Sequence, residues 1–249
     1  MCYHASVAAT YQQIEDRYDR PFEGDLFPSF TSKNDKFAYH VNGFTFAKMP
    51  VITMHKSELI HRFNWGLIPQ WANSKQHADE IRVNTLNAKA ETVFEKPSFK
   101  QSIISQRCLI PVTGFFEWQT QGPKNKIPHY IHLPHQPIFS LAGIYAEWTN
   151  PVTQDRYNTF SILTCEANSL MQQIHNSKMR MPCILNKEQE ELWLDPNLVQ
   201  TEIKEFMLAY DAKEMEAYPI TNLINNKDKN SNVSAVLNPA PKSFGDLFS

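Results

Sequence analysis

The middle of the chain contains a run of short apolar segments that follow one another closely, and this run constrains the fold more than any other feature. Five segments rich in β-branched and aromatic residues lie at 108–112, 115–119, 129–133, 138–146 and 159–164. Parallel neighbours in a sheet need a crossover of a dozen or more residues, and several of these connections are shorter. The spacing therefore favours antiparallel strands and argues against a parallel doubly wound sheet.

Helical patterns are short and lie on either side of this β-rich region. We therefore predict one α+β domain over residues 1–221, with a mixed, largely antiparallel β-sheet or open-barrel core flanked by short helices. The chain has 249 residues and 42% hydrophobic content, which is enough for one large core. Residues 222–234 are rich in Asn, Lys and Ser, so residues 222–249 are predicted to form an extended or partly disordered tail.

Local signals place the remaining elements. The pair Asn42-Gly43 predicts a tight turn between strands at 37–41 and 44–46. Asn168 is expected to cap a short helix that ends near His175, and Asn186 followed by Gln189 predicts a capping box. The other expected elements are a short helix at 14–18, ordered surface packing at 21–30, strands at 51–54, 59–65, 181–185 and 217–221, and helices from about 97 and over 199–209.

Composition limits the classes of function. The 4 cysteines show neither a Cys-x-x-Cys pair nor zinc-like spacing with histidines, so we expect no disulfide framework, no structural metal and no cofactor. No apolar run reaches the length of a membrane span, which predicts a soluble protein of the cytoplasm with no membrane partner. We also expect a monomer. The net charge of −2 argues against nonspecific coating of polyanions. It still permits a local groove that holds a short single strand on a few cations and aromatic rings.

The first two residues, Met1-Cys2, permit an unusual chemistry. Removal of Met1, which is common before a small residue, would leave Cys2 with a free α-amine beside its thiol. An α-amine has a pKa of about 7.7–8.0, so a sizeable fraction is neutral and nucleophilic near pH 7.4. Such an amine forms a Schiff base with an aldehyde, and the thiol can then close a five-membered thiazolidine. Many chains carry a small second residue without such chemistry, so Cys2 needs support from other residues.

Four polar residues stand among apolar neighbours, and each also has an ordinary structural explanation. Glu117 lies within an aromatic strand, where burial would raise its pKa, although strand alternation could equally direct it to water. Asn87 stands at a strand-to-loop junction and is typical of a turn. His175 closes an amphipathic helix, where histidine commonly complements the helix dipole. Arg180 precedes a strand and suits either a phosphate or a structural carboxylate.

These residues, taken in order, resemble the motifs of one family. The matching segments are Met1-Cys2, WGLIPQW at 65–71, NAKAET at 87–92, GFFEW at 114–118, and His175 with Arg180-Met181-Pro182. They closely resemble motifs of the SRAP family (SOS response-associated peptidase, the bacterial YedK and vertebrate HMCES type). The resemblance runs from residue 2 to about residue 221, and a second-position cysteine followed by several further motifs in order is a specific pattern.

The resemblance implies an enzyme that senses abasic sites in single-stranded DNA and protects them by covalent attachment. In that family the mature N-terminal cysteine captures the open-ring sugar aldehyde through a Schiff base and ends as a thiazolidine. Carried over to this chain, Cys2 is the nucleophile and Glu117 transfers protons near its amine. His175 assists sugar ring opening and the Schiff-base step, and Asn87 orients the amine and the sugar.

The resemblance also implies DNA contacts. Lys89 and Arg180 would hold phosphates beside the lesion, Trp71 would stack on a base, and Thr164 would contact the backbone. Three departures from the family pattern bear on the site. Lys89 stands where the family usually has arginine, which loses the bidentate phosphate geometry. Four residues separate His175 from Arg180, where the family's common form has one, and Tyr3-His4 replaces a small-then-basic pair.

Two alternatives remain open on the sequence. One is an N-terminal-nucleophile peptidase that uses the Cys2 thiol and removes Met1 autocatalytically. The Schiff base of the leading interpretation is also compatible with a lyase-like side activity. The other is a non-covalent single-strand binding module in which Cys2 is incidental. The implied partner in the leading interpretation is single-stranded DNA with abasic sites, so the protein would associate with the nucleoid and could meet replication-fork proteins.

Overall fold

The computed structural model of the protein describes residues 2–24, 37–123, 125–226 and 228–241. Within these ranges it contains thirteen strands and six α-helices. The strands are β1 His4–Val7, β2 Ala38–Asn42, β3 Lys48–Thr53, β4 Lys56–Trp65, β5 Asn87–Lys89, β6 Arg107–Val112, β7 Gly114–Gly122, β8 Asn125–His132, β9 Phe139–Thr149, β10 Arg156–Glu166, β11 Arg180–Pro182, β12 Ile184–Leu185 and β13 Glu216–Pro219. The helices are α1 Tyr11–Tyr18, α2 Lys75–Arg82, α3 Lys100–Ser105, α4 Ser169–Ile174, α5 Lys187–Leu194 and α6 Gln200–Glu205.

Five strands close into a barrel. The ring runs β10-β4-β3-β6-β9, and β9 returns to β10 through a long antiparallel pairing from Arg156↔Thr149 to Ile162↔Gly143. Its β10–β4 pair is parallel and its other pairs are antiparallel. The predicted α+β class with a mixed, largely antiparallel core is confirmed, and the barrel is closed. Closure removes the free strand edges on which an open sheet could aggregate.

A second, antiparallel sheet lies beside the barrel in the order β13-β8-β7-β1-β2. Its strand β1 is hydrogen-bonded on both sides, to β7 and to β2. Because Ala5 pairs with Phe115 in antiparallel register, the residues before Ala5 run towards Glu117. The sheet thus brings the start of the chain to the middle of β7.

The predicted helix caps are correct at two positions. The Asn168 side chain accepts a hydrogen bond from the Met171 amide at the start of α4, and His175 is the C-terminal cap residue. Asn186 and Gln189 form the reciprocal capping box of α5. Two helices are shorter than predicted, since α3 begins at Lys100 and α6 ends at Glu205.

The expected hairpin at Asn42-Gly43 is wrong. Asn42 ends β2, and its side chain caps a 3-10 turn over Gly43–Thr45 by accepting from the amide of Phe44. A Cβ at Gly43 would lie 3.1 Å from the ring of Trp65, so close packing against the tryptophan explains the glycine. Phe46 takes a left-handed φ of 54°, and the next strand starts two residues later. Of the expected surface segment 21–30, residues 25–30 lie outside the described residues.

The segment after residue 221 packs against the second sheet. It forms two 3-10 helices, Asn222–Asn225 and Ser234–Leu237, and Val236 is fully buried in a small cluster with Phe116 and Tyr130. The Tyr218 hydroxyl donates to a backbone carbonyl of the second 3-10 helix at 2.8 Å. The proposed domain boundary at residue 221 stays a prediction, but residues 222–226 and 228–241 are part of the folded structure. No helix among the described residues has the length and apolar character needed to cross a membrane.

Candidate active site around Cys2 and Glu117

Cys2 lies inside the protein, at the start of the chain that leads into β1. Its side chain is fully buried, and its thiol donates a long hydrogen bond to the His4 carbonyl, with an Sγ–O distance of 3.6 Å. Burial raises the pKa of the Cys2 thiol far above its usual range, and the nearby Glu117 carboxylate adds to this shift. In the resting protein the sulfur therefore keeps its proton.

Glu117 and His175 form the polar centre of the site. Glu117 projects from β7, and its Oε2 atom lies 3.6 Å from Nε2 of His175, with both side chains more than nine-tenths buried. His175 Nδ1 donates to the backbone carbonyl of Arg180 at 2.8 Å. That bond fixes the tautomer, because a carbonyl can only accept, and it leaves the Nε2 lone pair of a neutral ring facing Glu117.

The protonation states of this pair follow from burial. Burial raises the pKa of Glu117 to about 8 and lowers the pKa of His175 to about 4. Near pH 7 both side chains are therefore mostly neutral, so the short distance does not mark an ion pair. Glu117 then holds a proton that it can donate, and His175 presents an unprotonated nitrogen. This arrangement suits general acid and general base catalysis close to neutrality.

Asn87 is the first residue of β5, which pairs in parallel with β10 opposite Ile162. Its side chain is only 7% exposed. Neither its amide nitrogen nor its amide oxygen has a hydrogen-bond partner among the described residues. A buried amide without partners costs about 1–3 kcal/mol, so this side chain is available to bind a ligand group.

The strand β10 brings three further predicted residues together. Thr164 pairs with Lys89 on one side and with β11, which begins at Arg180, on the other. Arg180 forms a two-pronged ion pair with Glu91, at 2.5 and 2.9 Å, and its NH2 group also donates to the Thr164 carbonyl at 2.6 Å. Thr164 itself is fully buried, whereas Lys89 is exposed. The structure thus puts Thr164 beneath Arg180 and leaves the Lys89 ammonium open to solvent.

Trp71 lies apart from these groups, in the connection between β4 and α2. Its ring is 48% exposed. The indole nitrogen donates to the Pro97 carbonyl at 3.2 Å, and the ring lies 5.6 Å from that of His77. These contacts hold an exposed aromatic face in a fixed orientation, which is the property a stacking residue needs.

The long connection between His175 and Arg180 folds into a tight turn. The amides of Lys178 and Met179 both donate to the His175 carbonyl, at 3.2 and 2.8 Å. Asn176 joins this turn to β7, because its amide accepts from the Thr120 amide at 3.0 Å and donates to the Thr120 carbonyl at 2.9 Å. The four intervening residues therefore keep Arg180 against the His175 ring.

Sequence reasoning missed two residues of this site. Glu91 belongs to the matched segment 87–92. The sequence allowed a structural carboxylate as the partner of Arg180, and a search for that carboxylate could have found Glu91. Asn176 gave no signal except its position directly after His175. Within the described ranges, no group of three or more His, Cys, Asp or Glu side chains is arranged to hold a metal ion.

The fold is a closed mixed barrel with an adjoining antiparallel sheet. A buried second-position cysteine and a buried glutamic acid–histidine pair form the candidate site, and together these features define a class of proteins. The sequence model of one such family, SOS response associated peptidase (SRAP), matches residues 1–227. The chain belongs to the SRAP family.

Similar proteins cover between 74% and 96% of the chain. The abasic site processing protein YoaM of Bacillus subtilis is 37% identical over 235 residues, which are 93% of this chain and 96% of the relative. The abasic site processing protein YoqW of the same organism is 39% identical over 184 residues, covering 74% and 79% of the two chains. A crystal structure of a protein from Bacteroides thetaiotaomicron matches with a TM-score of 0.89 and 43% identity, over 96% of this chain and 100% of that one.

Proposed function

We propose that the protein processes abasic sites in DNA, and that it captures the open-ring sugar of a single-stranded abasic site as a thiazolidine on the mature N-terminal Cys2. The observation that carries this proposal is the neutral Glu117–His175 pair, with its 3.6 Å separation, beside a buried second-position cysteine. Membership of the SRAP family and relatives named abasic site processing proteins support the same substrate.

The reaction begins once Met1 has been removed. His175 is suited to take the proton of the anomeric hydroxyl and return it to the ring oxygen, as the bond between that oxygen and the anomeric carbon breaks and the aldehyde forms. The α-amine of Cys2 then attacks the aldehyde carbon, and the oxygen leaves as water with a proton that Glu117 can supply. The Asn87 amide, which has no described partner, can hold the amine or a sugar hydroxyl during these steps.

Ring closure completes the capture. The Cys2 sulfur adds to the imine carbon, and its proton moves to the nitrogen, so no oxidant or cofactor is consumed. The raised pKa of the thiol supports this order, because the sulfur stays protonated while the amine reacts first. The same property argues against a peptidase mechanism that begins with a free thiolate.

The exposed cation and aromatic residue supply the simplest DNA contacts. Lys89 can hold a phosphate, and Trp71 can stack on a base, a contact worth about 1–3 kcal/mol. Arg180 can contact a phosphate only if its ion pair with Glu91 opens, because its NH2 group already donates to Glu91 and Thr164 and its Nε atom is buried. Thr164, which is buried, is better suited to orient Arg180 than to touch DNA directly.

A denaturing gel tests the proposal. Protein with Met1 removed, as verified by intact mass, is mixed with a single-stranded oligonucleotide that carries one abasic site. A shifted band that survives heat and denaturant is expected, with none for an intact strand and much less for a duplex. Cys2→Ala should abolish the band, and Cys2→Ser should give no durable product because oxygen does not form the stable sulfur ring. Absence of the band with fully processed protein would refute the proposal.

A further inference from the structure

The turn at residues 176–179, which connects His175 to Arg180, is anchored at both ends. Asn176 binds both polar groups of the Thr120 backbone, and the Met179 amide donates to the His175 carbonyl at 2.8 Å. The Met179 carbonyl in turn accepts from the Ala167 amide at 3.0 Å. The backbone of this turn is therefore held in one position relative to the site.

The tip of the turn presents two long side chains to solvent. Lys178 is exposed, and Met179 is 56% exposed although it is a large apolar residue. Met179 also has a left-handed backbone, with φ of 50°. Non-glycine residues rarely adopt this conformation, and strain of this kind gathers at functional sites. Neither burial nor backbone preference accounts for a methionine here.

Charge also distinguishes the tip of the turn. Arg180 is neutralised by its two-pronged ion pair with Glu91. Lys178 has no ion pair with any described residue, and its ammonium is close enough to act on the His175 ring. Of these two cations beside His175, Lys178 is thus the one whose charge is left for an outside anion.

We propose that Lys178 and Met179 form an additional contact for the DNA strand, in which Lys178 binds a phosphate flanking the abasic nucleotide and Met179 packs its thioether on the neighbouring base. This inference rests on the proposed function and adds binding residues to the same site. A thioether is polarizable and packs well on aromatic rings, and a compact ammonium suits a single phosphate. The strained turn then serves to direct both side chains outwards.

Binding measurements on two variants test the contact. The probe is a single-stranded oligonucleotide with a tetrahydrofuran abasic analogue, which lacks the aldehyde and reports non-covalent affinity. Lys178→Gln should weaken binding and reduce the slope of log K against log salt by about 0.7, the value for one phosphate on a single strand. Met179→Gly should weaken binding by about 2- to 12-fold. The same substitution should leave the urea midpoint unchanged or higher, because glycine relieves the left-handed backbone.

The control for the glycine substitution is Gln154→Gly. Gln154 also has a left-handed φ, of 61°, but it lies in the turn between β9 and β10, about 25 Å along β10 from Thr164. It should gain stability without losing affinity. Unchanged affinity and salt slope in both test variants would overturn the inference. If that result is found and the wild type still forms the covalent band with an aldehyde-bearing strand, the contact is refuted but the proposed function is not.

Discussion

Replacing Glu117 with glutamine separates stability from function at this site. In the folded protein burial holds the pKa of Glu117 at about 8, against an ordinary value of 4.5. The folded state therefore binds this proton more tightly than the unfolded state. Below pH 4.5 both states are protonated and the carboxyl group carries no penalty. As the pH rises above 4.5, Glu117 ionises in the unfolded state and lowers the free energy of that state. The free energy of unfolding therefore falls.

The size of the effect follows from the shift. Each pH unit between 4.5 and about 8 costs about 1.4 kcal/mol of the free energy of unfolding. The penalty is then about 3 kcal/mol at pH 7 and about 5 kcal/mol above pH 8. Glutamine has the same length, stays neutral and can still donate a hydrogen bond towards His175. We therefore expect Glu117→Gln to stabilise the protein by about 3 kcal/mol at pH 7.

Urea unfolding of the two proteins between pH 5 and pH 9 measures this difference. The stability of Glu117→Gln minus that of the wild type should rise with pH and level off above pH 8. The exposed Glu147→Gln, on β9, is the control and should show no such trend. If Glu117 is instead ionised and paired with a protonated His175, the substitution leaves a buried charge and destabilises the protein. A destabilised variant, or a difference independent of pH, refutes the reasoning.

The same variant should capture abasic DNA poorly. Glutamine cannot give up a proton to the departing water, and loss of a positioned acid commonly costs about 10²–10⁴-fold in rate. A time course of the covalent band at pH 7 would measure the loss. A more stable protein that reacts more slowly would indicate that the buried carboxyl group is retained for chemistry rather than for folding. A wild-type rate of capture would remove Glu117 from the proposed mechanism.

Three further substitutions test the supporting structure. Asn176→Ala removes both hydrogen bonds to Thr120 and should lower the free energy of unfolding by about 1–2 kcal/mol. Capture should also be slower, because His175 loses its fixed distance to β7. The control is Gln173→Ala, whose side chain is exposed, and an unchanged rate of capture in Asn176→Ala would contradict the positioning role. Gly143→Ala places a Cβ 2.5 Å from Cδ1 of Ile110 inside the barrel and should cost about 1–3 kcal/mol in urea unfolding; no loss would mean that the barrel repacks there. Val236→Ala should cost about 2 kcal/mol in the same assay, because it removes buried methyl groups; a neutral effect would mean that the C-terminal segment contributes nothing to the folded unit.

The fold was predictable from the sequence where local rules decide the outcome. Strand alternation and short connections are properties of neighbouring residues, so the central strands and the caps at Asn168 and Asn186 follow from them. The hairpin predicted at Asn42-Gly43 is wrong because the Asn42 side chain caps a 3-10 turn instead, and the glycine packs against Trp65, which is distant in sequence. Closure of the barrel likewise depends on β9 pairing with both β6 and β10, which no local signal reveals.

The residues of the candidate site could be chosen from the sequence, but their contacts could not. A resemblance in order along the chain identified Glu117, His175 and Arg180, and strand alternation alone left the burial of Glu117 undecided. The distance from Glu117 to His175 depends on how α4 packs against β7. The ion pair between Arg180 and Glu91 depends on the pairing of both β5 and β11 with β10. These are tertiary facts, and they change the expected roles of the cations.

The arrangement of the second sheet explains how a residue as near the start of the chain as Cys2 can hold a fixed position. Chain termini are usually mobile unless they are tied down, but β1 is held between β7 and β2. His4, two residues after Cys2, bonds through Nδ1 to Nε2 of His40 on β2 at 2.8 Å, and His40 bonds to Ser231 of the C-terminal segment at 2.7 Å. Burial lowers the pKa of His4 to about 3 and that of His40 to about 4, so the chain of contacts stays uncharged near neutral pH. The C-terminal segment therefore supports β1, the strand that follows Cys2, so the position of Cys2 depends on contacts with β2 and, through His40, with Ser231.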